Sequence, residues 1–124
     1  MSRLSNSLVA IAALLALSTV AQAQSIRVKC EKRADRSTAS IDGTNLIPGT
    51  YSSVLTSGPN TAQAPARATV GDEVGFDFSS QPRDIRRGAT PLSTTFITGG
   101  QATGTLLDAN GQVVATQTAR CRVR

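Results

Sequence analysis

From Ile26 onward, apolar and polar residues alternate one by one instead of at the three-to-four spacing of a helix. In 26–31, Ile26, Val28 and Cys30 alternate with Arg27, Lys29 and Glu31, the pattern of a strand with one buried face. Residues 37–42 predict a second short strand, ended by turn residues at 42–45, and Pro48-Gly49 predicts a tight turn. Residues 50–57 are β-rich and stop at Gly58, Pro59 and Asn60. Residues 63–70 predict a weaker strand at a sheet edge, because Pro65 has no N–H for a ladder. After a turn at 71–73, Val74, Phe76 and Phe78 face one way and Gly75, Asp77 and Ser79 the other. This strand holds two of the three phenylalanines, so its apolar face is expected at the centre of the core.

Residues 80–91 break the rhythm. Ser80 as a cap, Pro82 at a first helical position and the closing Gly88 and Pro91 predict one helical turn across an end of the sheet. A strand is expected over 92–98, a turn at Gly99-Gly100, another strand over 102–107 and a hairpin turn at 108–111. The chain then closes with a single long strand. On it Val113, Ala115, Gln117, Ala119, Cys121 and Val123 share one face, and Val114, Thr116, Thr118, Arg120, Arg122 and Arg124 the other.

About seven to eight short strands separated by turns, with no sustained helical period, predict an all-β fold. The expected architecture is an antiparallel immunoglobulin-like β-sandwich, and a small β-barrel is the alternative. There is no tryptophan, so the Cys…Trp…Cys signature of antibody domains is missing. The stretch GTLLDANGQVVATQT (104–118) resembles the hairpin of prealbumin-like (carboxypeptidase regulatory-like) sandwich domains, where Gly-x-x-x-Asp-x-x-Gly precedes a β-branched strand. In that family the hairpin usually opens the domain, whereas here it closes it. The resemblance implies a sandwich fold and carries no function.

The first residues change the picture of where this domain works. Arg3 precedes a 13-residue, largely apolar run over 8–20 and the small-x-small triplet Ala21-Gln22-Ala23, which predicts a secretory signal peptide over 1–23. The run is shorter than the roughly 20 residues that span a bilayer, so no transmembrane segment is expected after cleavage. The remaining residues, 24–124, suffice for a single domain. In an exported chain the two cysteines, Cys30 and Cys121, are expected to form one disulfide between the first and last strands. The Ala/Leu-rich leader looks bacterial, which places the protein in the periplasm or outside the cell.

Residues 24–124 carry twelve Lys and Arg against eight Asp and Glu. Both cysteine strands place bases on their polar face, so Arg27, Lys29, Arg120, Arg122 and Arg124 form a candidate anion-binding face. Paired antiparallel with the cysteines opposite, Lys29 would face Arg122, Arg27 would face Arg124, and Glu31 would face Arg120. Paired parallel, Lys29 would face Arg120, Arg33 would face Arg124, and Glu31 would lie beside Arg122. A cross-sheet disulfide would separate the two strands. Charges on exposed strands also deter edge-to-edge aggregation, which is the plainer explanation of the bases. Arg83, Arg86 and Arg87 form a secondary basic cluster, with Asp84 inside it.

There is no histidine, which removes the commonest general base and metal ligand. No metal or cofactor is expected: Asp72, Glu73, Asp77 and Asp84 lack the Asp-x-Asp-x-Asp-Gly loop of a calcium site, and two distant cysteines make a poor zinc set. Phosphate loops and nucleic-acid motifs are absent, so no nucleic acid is expected as a partner. The leading expectation is an exported, non-enzymatic structural or interaction module of the bacterial cell envelope, with self-assembly as a variant. The first alternative is a soluble binder of anionic envelope material, lipid headgroups or acidic polysaccharide, through the basic strand face. The second is a small carboxylate-dependent hydrolase. The specific partner, an envelope protein or an anionic envelope polymer, is not identified by the sequence.

Overall fold

The computed structural model of the protein describes residues 24–124, and the leader expected over 1–23 lies outside the described residues. Along the chain come β1 (Ser25–Arg33), β2 (Arg36–Thr44), β3 (Thr50–Ser57), β4 (Asn60–Ala68) and β5 (Val74–Ser79). Then follow α1 (Pro82–Arg86), β6 (Thr90–Pro91), β7 (Gln101–Leu107), β8 (Val113–Arg120) and β9 (Arg122–Val123). One sheet has the order β6-β5-β2-β1-β9 and the other β4-β3-β7-β8. This is the expected all-β sandwich with immunoglobulin-like strand order: β1, β2 and β5 face β4, β3, β7 and β8.

Alternation along the strands decides what is inside. Ile41, Phe76 and Phe78 from the first sheet meet Leu55 and Leu106 from the second, and all five are fully or almost fully buried. Gly104 is the point of closest approach. A Cβ there would stand 2.6 Å from Val28 Cγ2 and 2.9 Å from Ile41 Cδ1, so only glycine fits without displacing core side chains. Both open corners of the sandwich are bridged by side chains: the Gln117 Oε1 accepts from Val28 N at 2.8 Å, and Arg67 Nη1 donates to Gly75 O at 2.7 Å. These contacts take the sandwich part of the way towards the barrel alternative without closing a ladder.

The disulfide joins Cys30 to Cys121 and lies buried at one of these corners. Of the two pairings expected for the cysteine strands, the parallel one is found, with Glu31 opposite Arg122. The long closing strand is divided. β8 belongs to the second sheet, the chain crosses over at Cys121, and β9 joins the first sheet beside β1. Arg120 therefore stays on the second sheet opposite Gln101, away from the cysteine strands' shared face.

Other expectations are corrected by packing. β2 continues through Gly43 and Thr44, because Gly43 is an inward position beneath Leu106; the turn comes at Asn45, whose φ is 57°. β4 is an edge strand, as expected, and the ladder with β3 shifts register between Tyr51 and Ser53, where Pro65 leaves a gap. The helical turn begins at Pro82, but its N-cap residue is Gln81. Ser79 Oγ, not Ser80, accepts the Gln81 N–H at 2.9 Å and donates to Asp84 Oδ2 at 2.8 Å. Residues 92–98 do not form a strand. Phe96 and Ile97 are adjacent and both buried, which strict alternation forbids. The segment is held by side chains instead. Ser37 Oγ donates to Thr94 O at 2.9 Å, Ser57 Oγ accepts from Thr98 N at 2.8 Å, and Asn60 Nδ2 donates to Phe96 O at 2.7 Å.

Candidate functional site

On β2, Thr38, Ser40 and Asp42 alternate with the core residues Ala39 and Ile41, so they face outward. Their neighbours on that face are fixed by register. Lys29 lies opposite Ser40 on one side and Asp77 opposite it on the other, while Arg27 lies opposite Asp42. β9 extends the face with Arg122 beside Glu31. After β5 the helical turn and the return to β6 bring Asp84, Arg87 and Ala89 over the same surface. The result is an open groove of about 650 Å³. Thr38 and Ser40 form its floor, Lys29, Glu31 and Arg122 one wall, and Asp84, Arg87 and Ala89 the other.

The groove gathers residues from both basic clusters. Lys29 and Arg122 come from the cysteine strands and Arg87 from the helical segment. Among the described residues, none of the three makes an ion pair within 4 Å. Two of the acids beside them are engaged. Glu31 Oε2 sits 3.0 Å from Arg124 Nε and 3.6 Å from Arg33 Nη2, and Asp84 accepts the Ser79 hydroxyl. Asp84 keeps its charge on accepting that hydroxyl and Asp77 also lines the groove, so three cations stand among three acids, of which only Glu31 is ion-paired among the described residues. The remaining candidates are elsewhere: Arg27 lies beyond the groove towards Asp42, Arg120 is on the other sheet, Arg124 is engaged by Glu31, and Arg83 and Arg86 are exposed on α1.

Asp42 is the titrating group that its surroundings disturb. Loss of water raises its carboxyl above the ordinary aspartate range, and the charge of Asp77 raises it further. Lys29 and Arg27 pull it down. The folded protein therefore holds this proton to higher pH than the unfolded chain does, and stability is lost as pH rises through the window between the two. Asp42→Asn is expected to raise Tm at neutral pH by no more than about 3 °C, with the gain vanishing below the unfolded aspartate range. Thermal melts of the two proteins from pH 3 to pH 8 check this; a gain that persists at low pH would have another cause.

The arrangement suits contact with anionic groups. Hydroxyls, two arginines and a lysine offer donors along an open surface, and bidentate contact with carboxylate or phosphate is the strength of arginine. Among the described residues, no cluster of three or more Cys, Asp or Glu is placed to hold a metal ion. Sequence reasoning identified the three bases but not their assembly, and it missed Thr38 and Ser40. Their alternation with Ala39 and Ile41 was the signal for an outward row. No family model matches the chain, and none of the curated proteins does.

Proposed function

We propose that the protein is an exported, non-enzymatic module of the bacterial cell envelope that acts by contact, and that its contact surface is the groove over β2. The observation that carries this reading is the convergence of Lys29, Arg87 and Arg122, from three separate elements, around one groove without ion-pair partners among the described residues. The disulfide supports a non-cytoplasmic setting, since such bonds persist in oxidising compartments. Among the described residues no helix is long and apolar enough to cross a membrane. The groove's preferred ligand is an anionic group, carboxylate or phosphate, displayed on a larger partner; an open surface of this kind does not enclose a small molecule.

The test is salt-dependent binding to an acidic polysaccharide and to vesicles containing anionic lipid. The groove variant changes Lys29, Arg87 and Arg122 to Ser. A control changes Arg83, Arg86 and Arg120 to Ser, which removes the same charge outside the groove. The groove variant is expected to lose affinity by about 10-fold or more and to flatten the salt dependence, while the control changes little. Equal losses in the two variants would reduce the effect to net charge and remove the groove as a site.

A further inference from the structure

The two ends of the sandwich differ in charge. At one end lie segments 32–36, 83–87 and 120–124, with nine bases and two acids between them. At the other lie the connections 45–49 and 69–73 and the turn 108–112, with three acids (Asp72, Glu73 and Asp108) and no base; Arg67, just inside the end of β4, lies beside Val70 and Glu73 with its guanidinium held by Gly75 O. Strands of eight or nine residues separate the ends by about 25–30 Å, well beyond the roughly 8–10 Å over which salt leaves exposed charges in communication. The ends therefore do little to neutralise each other within one molecule.

The acidic end is also apolar and rigid. Among the described residues the exposed large hydrophobics are Ile47, Val70, Val113 and Val123; the first three sit at this end, and Ile47 and Val70 are 72% and 86% exposed. Residues 45–49 and 69–73 continue the β3–β4 register beyond its last strand pair. Thr69 N donates to Gly49 O at 2.8 Å, Leu46 N to Asp72 O at 3.0 Å, and Gly49 N to Thr69 Oγ1 at 3.0 Å. The buried Tyr51 fixes the tip from beneath, its hydroxyl donating to Ile47 O at 2.6 Å. Exposed apolar side chains on a braced support cost little ordering entropy on association. Val123, the fourth exposed hydrophobic, lies on β9 next to Arg122 of the groove.

We propose that the partner of the groove is the acidic, apolar tip of a second copy of this chain, so that copies associate head to tail through Asp72 and Glu73 on one and Lys29, Arg87 and Arg122 on the next. This rests on the groove being a contact surface for anionic groups. The two patches differ, so the contact is heterologous and propagates into chains unless a ring closes.

Sedimentation velocity of the purified protein at low salt tests it. The average mass is expected to rise with concentration to roughly twice that of the monomer or more, and to return to the monomer at about 1 M salt. Two variants reverse the ends separately: Asp72→Lys with Glu73→Lys, and Arg87→Glu with Arg122→Glu. Each alone is expected to remain monomeric, and an equal mixture to assemble, because each supplies the end the other needs. Circular dichroism verifies that both keep the fold. A wild-type protein that stays monomeric, a closed dimer of fixed mass, or a mixture that does not assemble would overturn the proposal. If the wild type is monomeric yet binds acidic polysaccharide through the groove, only the self-association falls. If it does neither, the groove reading falls with it.

Discussion

Replacing Cys30 and Cys121 together with serine is expected to lower Tm by roughly 15 to 30 °C. The bond closes a loop between residues 91 apart in sequence, and in the chain-entropy model a loop of that length restricts the unfolded chain by about 4 to 5 kcal/mol. Small domains have a net stability of only about 5 to 15 kcal/mol, so a large share rests on one bond. Both cysteines are buried, so reductant alone is expected to act slowly on the folded protein and rapidly once it is warmed or placed in denaturant. Differential scanning calorimetry of the double variant measures the effect. A fall of less than about 5 °C would mean that the corner contacts, Gln117 with Val28 and the β1–β9 ladder, hold the ends of the chain without the bond.

The same variant links the staple to the groove. Cys121 is the residue at which the chain leaves β8 and crosses to the first sheet, and Arg122 follows it directly. β9 has two residues, and its hold on β1 beyond the disulfide consists of a short ladder, the Arg124 N bond to Lys32 O at 2.9 Å and the Arg124–Glu31 pair. With the staple gone, β9 is the first element expected to fray, taking Arg122 out of the groove wall. Affinity for anionic groups is then expected to fall at temperatures where the rest of the sandwich is still folded.

The strands that were legible in the sequence are those whose burial depends on local alternation. β1 and β5 read correctly from the spacing of Ile26, Val28 and Cys30 and of Val74, Phe76 and Phe78. The hairpin at 108–112 was legible because Asp108 satisfies its own turn, its Oδ1 accepting from Asn110 N and Gln112 N at 2.9 Å. What escaped depends on distant partners. Residues 92–98 have β-like composition, yet their backbone groups are satisfied by Ser37, Ser57 and Asn60, three side chains far away in sequence. The division of the last strand is invisible because β8 and β9 carry the same alternation on both sides of Cys121. The groove was half legible: its bases stand out by charge, but only the crossover from β5 through α1 brings Arg87 to Lys29. The acidic tip reads as ordinary turns until register places 45–49 beside 69–73.

Ser37→Ala and Ser53→Ala are expected to change stability in opposite directions, although both serines are fully buried. Ser37 is a junction. Its hydroxyl donates to Thr94 O at 2.9 Å and accepts from Ile97 N at 3.4 Å, while its backbone exchanges bonds with Ser80 at 3.0 Å. Alanine there strands a carbonyl and an amide inside the segment that has no ladder of its own, at a cost of about 2 to 3 kcal/mol. Ser53 sits between the sheets opposite Leu106, and its Oγ has no hydrogen-bond partner among the described residues. Removing that hydroxyl leaves the packing unchanged and relieves an unpaired polar atom, a gain of about 1 kcal/mol or more. Chemical denaturation of the two variants against the wild type reads both shifts from the midpoint at constant slope. A loss at Ser53 would show that its hydroxyl is satisfied in solution. Neutrality at Ser37 would show that the 92–98 crossover is carried by the burial of Leu92, Phe96 and Ile97 and not by its polar junctions. The comparison decides how a segment without strand pairing is kept in place between β6 and β7, and hence how firmly the far side of the sandwich supports the helical turn that positions Arg87.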